Sequence, residues 1–109
     1  MRVYQTAREL GKAVYSFIKI LPREERYNMC DQVRRAALSV KLNIGEGASR
    51  VSAVERRRFY EIARGSVSEI DGVVEAAADI GYCGKEDWSQ LGELLNKAYA
   101  QLSKLMEHP

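Results

Sequence analysis

Few side chains in this sequence can do chemistry, and their spacing mostly excludes reactions. The single histidine, His108, stands beside Pro109 and outside any helical pattern. A carboxylate-bridged metal pair in a helical bundle needs Glu-x-x-His on facing helices, and a structural zinc site usually combines several Cys and His ligands. A Ser-His or Cys-His nucleophile pair fails for want of the same residue. Gly45-Glu46-Gly47 follows a helical pattern and no strand, so it does not read as a phosphate loop. Ser39, Asn43 and Glu46 lie near a helix end, where such groups usually satisfy loop backbone; a ligand role is the alternative. The expectation is therefore a protein with no catalytic residue, no metal, no cofactor and no small-molecule substrate.

Charge is the more informative signal. The whole chain carries +2, but residues 34–64 hold eight basic side chains against three acidic, a net +5. The basic set is Arg34, Arg35, Lys41, Arg50, Arg56, Arg57, Arg58 and Arg64. Residues 65–109 hold three basic against eight acidic, a net −5. Arg34 and Lys41, seven apart, share one flank of a helix, as do Arg57 and Arg64. Arg50 and Arg56-Arg57-Arg58 surround a helix N-terminus, where an anion is favoured. Such a surface suits nucleic acid or an acidic protein face; Tyr60 is the aromatic placed to join it. The competing reading is that the basic and acidic segments complement each other, within one subunit or between subunits.

These residues sit on four helical patterns, expected at 3–21, 28–47, 53–81 and 85–107. The first carries Tyr4, Ala7, Gly11, Val14, Ile18 and Leu21 on one stripe, widened by Leu10 and Phe17, and Pro22 stops it. In the second, Cys30, Val33, Ala37, Val40 and Ile44 alternate steps of three and four. Asn28 is placed to cap it, and Asp31 to pair with Arg35. Ser52 and Glu55 form a capping box for the third, whose inner stripe reads Phe59, Ala63, Ser66, Ile70, Val73, Ala77 and Ile80. Tyr60, Val67 and Val74 make a neighbouring stripe, and Gly65, Ser68 and Gly72 a small-residue one. Interior glycines each cost about 1 kcal/mol against alanine. These six are accordingly the candidate interface with a second copy, and solvent exposure is the other reading of the small residues. Trp88, Leu91, Leu95, Ala98, Leu102 and Leu105 give the fourth helix its seam. Short connections between four helices imply a single all-α domain over 1–109, an antiparallel up-down-up-down bundle. No apolar run reaches the ~20 residues of a membrane span, and the first residues lack a signal-peptide core. Two cysteines, Cys30 and Cys83, without C-x-x-C spacing imply reduced thiols and a cytoplasmic setting.

Four runs carry a family resemblance. They are Leu21-Pro22-Arg23-Glu24-Glu25-Arg26-Tyr27, Gln32-Val33-Arg34-Arg35-Ala36-Ala37-Leu38-Ser39-Val40, Asn43-Ile44-Gly45-Glu46-Gly47, and Ile62-Ala63-Arg64-Gly65-Ser66-Val67-Ser68-Glu69. The chain resembles, over residues 7–105, the bacterial four-helix-bundle proteins encoded in intervening sequences of large-subunit rRNA genes. The accessory variability proteins of diversity-generating retroelements are similar in fold. The resemblance implies a homopentamer and, for the retroelement branch, a basic assembly that binds a reverse transcriptase and its RNA template. Lys41-Leu42 stands where many members have Pro-Ser, and Gly45 where alanine is usual, which leaves the branch open. No family-wide active residues exist to carry over.

Overall fold

The computed structural model describes residues 1–109. Four helices follow one another: α1 (Arg2–Ile18), α2 (Met29–Ala48), α3 (Ala53–Ile80) and α4 (Lys85–Glu107), with a single 3-10 turn at Arg23–Glu25. Each helix packs on the next and α4 returns to α1, so the ring order is α1-α2-α3-α4. Pairings across the seams run in opposite chain directions: Lys41 over Tyr4, Ser66 to Ser39, Arg57 to Met106 and Arg64 to Ser103. That is the up-down-up-down antiparallel bundle. Its 44 Å long axis is about the length of a 28-residue helix at 1.5 Å per residue.

Each end of each helix has a local cause. α1 stops at Ile18, three residues short of the expected Leu21. Pro22 is extended (φ −69°, ψ 157°), and the turn before it tightens to i→i−3 bonds from Lys19, Ile20 and Leu21. Leu21 nonetheless stays buried. Asn28 precedes α2, but its side chain does not cap it; its Nδ2 donates to Glu25 Oε1 at 3.0 Å. Asp31 pairs with Arg34, one residue closer than the expected Arg35. Ser52 Oγ accepts from the Glu55 amide at 3.3 Å, half of the expected capping box. α3 ends in a Schellman motif on Gly81 (φ 92°), with Tyr82 N–H bonded to Ala77 O and Gly81 N–H to Ala78 O. At α4 the Asp87 carboxylate accepts the Gly84 amide at 2.8 Å.

A single apolar cluster fills the space between the helices. The α2 stripe is as expected, all of Cys30, Val33, Ala37, Val40 and Ile44 being buried. The α3 stripe is displaced by one position. Tyr60, Ala63, Val67, Ile70, Val74 and Ala77 face inward, Phe59, Ser66 and Val73 lie half-buried, and Ile80 is exposed. Tyr60, Val67 and Val74 therefore belong to the monomer's own core and cannot serve a second copy. Only Gly65, Ser68 and Gly72 of the six interface candidates are exposed.

Gly47 explains the displacement. A Cβ there would meet Tyr60 Cε1 at 2.8 Å and Phe59 Cβ at 3.0 Å, whereas at Gly45 it would meet only Tyr4 Cε1 at 3.9 Å. Gly47 thus lets α3 close onto α2 with Tyr60 inward. Gly47→Ala is expected to lower the melting temperature despite its better helix propensity. Gly45→Ala should raise stability by up to about 1 kcal/mol. Thermal denaturation of the two variants checks the contrast.

Candidate nucleic-acid interface

The groove between α1 and α2 is where cations collect without acids. From α1 come Arg8, Lys12 and Tyr15, at i, i+4 and i+7, which places them on one helix flank. From α2 come Arg34, Leu38 and Lys41 with the same spacing, and Arg35 stands at the outer edge. Ala7, Gly11 and Ala37 form the floor, and no atom lies within 4 Å of where a Gly11 Cβ would be. Five cations line the groove and no carboxylate does. Arg34 Nη2 does reach Asp31 Oδ1 at 2.6 Å, but both side chains are 39% exposed, and a pair so open to water neutralises little. Lys41 Nζ lies 5.9 Å from the centre of the Tyr4 ring at one end. Tyr15 is 55% exposed and Leu38 56%.

The remaining arginines of the basic set stand elsewhere and do different work. Arg56 Nε donates to Pro109 O at 2.6 Å, and its Nη1 to the carbonyls of Arg50 and Val51. Arg57 Nη1 donates to Met106 O. These two therefore satisfy carbonyls in the turn before α3 and at the end of α4; at the end of α4 a cation also complements the helix dipole. Arg64 bonds Ser103 Oγ at 3.1 Å and lies 5.2 Å from the Tyr99 ring. Arg50 pairs with Glu46 at 2.6 Å and stacks 4.9 Å from the Phe59 ring. Arg58 is exposed and makes no hydrogen bond or ion pair. The structure thus divides the sequence's one basic surface in two. Arg34, Arg35 and Lys41 join Arg8 and Lys12 in the groove. Arg50, Arg56, Arg57 and Arg64 hold the α2–α3 corner and the α3–α4 seam, and Arg58 stands exposed apart from both. Tyr60, being buried, joins neither.

Arg8, Lys12 and Tyr15 are the site residues that charge counting along the chain passes over, because residues 1–33 as a whole carry six basic side chains against four acidic and do not stand out beside 34–64. Their i, i+4, i+7 spacing on a flank beside the core stripe was the available signal.

Other polar groups are committed to structure. Asn43 Nδ2 donates to Ser39 O at 2.8 Å, and Ser66 Oγ bonds Ser39 Oγ at 2.9 Å, a polar row across the α2–α3 seam. Tyr82 donates its hydroxyl to Glu25 Oε2 at 2.9 Å, and that bond, helped by partial desolvation, pushes the phenol up from its ordinary value. Burial pushes the Cys30 thiol up against the opposing pull of Arg34, and burial with Asp87 raises Cys83. Both are free thiols, held toward the protonated, unreactive form. No three His, Cys, Asp or Glu side chains converge as a metal site would require, and no helix is long and apolar enough to cross a membrane.

Fold and groove together define a class: an antiparallel four-helix bundle with one acid-free basic groove. Within that class the chain belongs to the 23S rRNA-intervening sequence protein family, whose model matches residues 1–104. Among solved structures it is similar to a protein of unknown function from the S23 ribosomal protein family of Bacteroides thetaiotaomicron. That likeness has a TM-score of 0.86 at 19% identity and covers 95% of this chain and 97% of the other. At that identity it speaks for the fold alone. No curated protein sequence matches.

Proposed function

We propose that this protein is a non-enzymatic, homo-oligomeric bundle that binds nucleic acid, or a nucleic-acid enzyme such as a reverse transcriptase, through the groove between α1 and α2. One observation carries the reading: five cations on two banks, with no acid among the residues that line them. Phosphates are recognised by such fixed cations without any need for base-specific contacts. In a homo-oligomer, a pentamer on the family resemblance, the groove repeats and a modest site becomes multivalent. Titration of a structured RNA across a salt series tests the reading. Affinity should fall with a log–log slope of about −2 to −4 per engaged groove, for roughly three to five phosphates engaged; a flat dependence rejects it.

A second reading, a protein-interaction scaffold with no nucleic-acid binding, draws on α3, which lines no part of that groove. Residues 65–84 hold Glu69, Asp71, Glu75 and Asp79 and no base. Gly65 and Gly72 lie on the same stretch, exposed and with nothing within 4 Å of an added Cβ. A helix of another copy could approach closely there. Gly72→Leu is then expected to dissociate the assembly while leaving the monomer slightly more stable, by about 1 kcal/mol or less. Light scattering reads the mass, and an unchanged mass removes this face as the interface.

A further inference from the structure

We infer that the α1–α2 groove grips a single nucleic-acid strand, with Tyr15 as the platform on which one of its bases stacks. The inference rests on the nucleic-acid reading above and names the form of nucleic acid that the groove selects.

Three features point there. The cations flank the groove on both banks, Arg8 and Lys12 on α1 and Arg34, Arg35 and Lys41 on α2. Along α2, Arg34 to Lys41 spans seven residues, about 10.5 Å of helix. At about 3.4 Å per phosphate along one stacked strand, that length faces roughly three phosphates of a single backbone. Next, the floor of Ala7, Gly11 and Ala37 is built of small residues and is open above Gly11. It leaves room for a strand to lie between the two charged banks. Third, an aromatic ring stands among the cations with more than half of its surface in solvent. A base in a single strand has a free face to lay on that ring, whereas a duplex keeps its base faces stacked on one another. Phosphate contacts alone would not distinguish the two forms; Tyr15 does.

The test uses the full chain and a short fluorescein-labelled oligouridylate, followed by anisotropy across a salt series. A duplex RNA of matched phosphate number and a polyglutamate competitor run beside it. The single strand is expected to bind at least about fivefold more tightly than the duplex. Tyr15→Ala should lose about five- to a hundredfold on the single strand and nothing on the duplex, without changing the salt slope, because no phosphate contact is removed. Tyr15→Phe should keep the affinity. Tyr15 is exposed, so its variants fold, and circular dichroism checks that they do.

Equal affinity for both forms with Tyr15→Ala silent overturns this inference and leaves nucleic-acid binding standing. Displacement of the strand by polyglutamate at matched charge overturns it in favour of an acidic protein face. Failure of both nucleic acids to bind removes it together with the proposed function.

Discussion

Lys12→Glu combined with Lys41→Glu is expected to lower affinity for RNA by about a hundredfold at 0.1 M salt, and to flatten the salt dependence by about two units of log–log slope. The two lysines stand on opposite banks of the groove, so the pair of changes removes the two-sided grip and puts repulsion in its place. Neither takes part in a salt bridge whose loss would confuse the result; Lys41 gives up only its approach to the Tyr4 ring. Filter binding or anisotropy measures the loss, and a double variant that binds like the parent would move the interface elsewhere. The contrast with the other half of the basic set is as informative. Arg56→Glu breaks three hydrogen bonds to backbone carbonyls and sets a negative charge at the negative end of α4. That variant is expected to lose stability, and its binding defect would say little about contact with RNA.

The second large effect is expected in the core. Tyr60 is 2% exposed and fills the gap that Gly47 leaves. Tyr60→Ala should cost about 4 kcal/mol, the usual scale for deleting a buried aromatic ring. That is a large share of a domain stability of roughly 5–15 kcal/mol. Phe59→Ala should cost less than half as much, since its ring is only half-buried, beneath the Arg50 guanidinium. Urea denaturation of the two variants gives the comparison. Equal midpoints would mean that α3 turns its Phe59 side to the core.

That pair of neighbours also shows how far the fold was legible beforehand. In α2 the residues Cys30, Val33, Ala37, Val40 and Ile44 make one unbroken stripe. The leucines off it, Leu38 and Leu42, form no competing column as long, so periodicity settled which face is buried. In α3, apolar or small residues stand side by side at 59–60, 66–67 and 73–74. A period of three and four fits either column equally. What decides between them is Gly47 on another helix, a contact that no local pattern encodes. The end of α1 was misplaced for a related reason: Leu21 continues the stripe and is buried, but it reaches the core from a tightened turn outside the helix. Ion pairs were no easier, because Asp31 has an arginine at both i+3 and i+4 and only rotamers choose. The candidate site was half visible. Arg34, Arg35 and Lys41 were found as charges on α2. The opposite bank required knowing that α1 lies alongside and turns Arg8, Lys12 and Tyr15 toward them. Conversely, Arg56 and Arg57 looked free in sequence and are occupied in space, because α4 ends beside them.

The separation of charge across the bundle bears on how fast a partner arrives. The groove between α1 and α2 is positive, and the acidic stretch of α3 lies on a different side of a body 24 Å by 19 Å across. At about 0.15 M salt the Debye length is near 8 Å, and at 0.01 M near 30 Å. In dilute salt an approaching polyanion feels both faces at once, and its attraction to one is offset by repulsion from the other, leaving a torque that turns the molecule. At physiological salt the acidic face is screened before it can be felt, and the groove alone draws the strand in. Electrostatic steering by this small, nearly neutral protein is therefore a short-range effect, confined to the last few ångströms of approach.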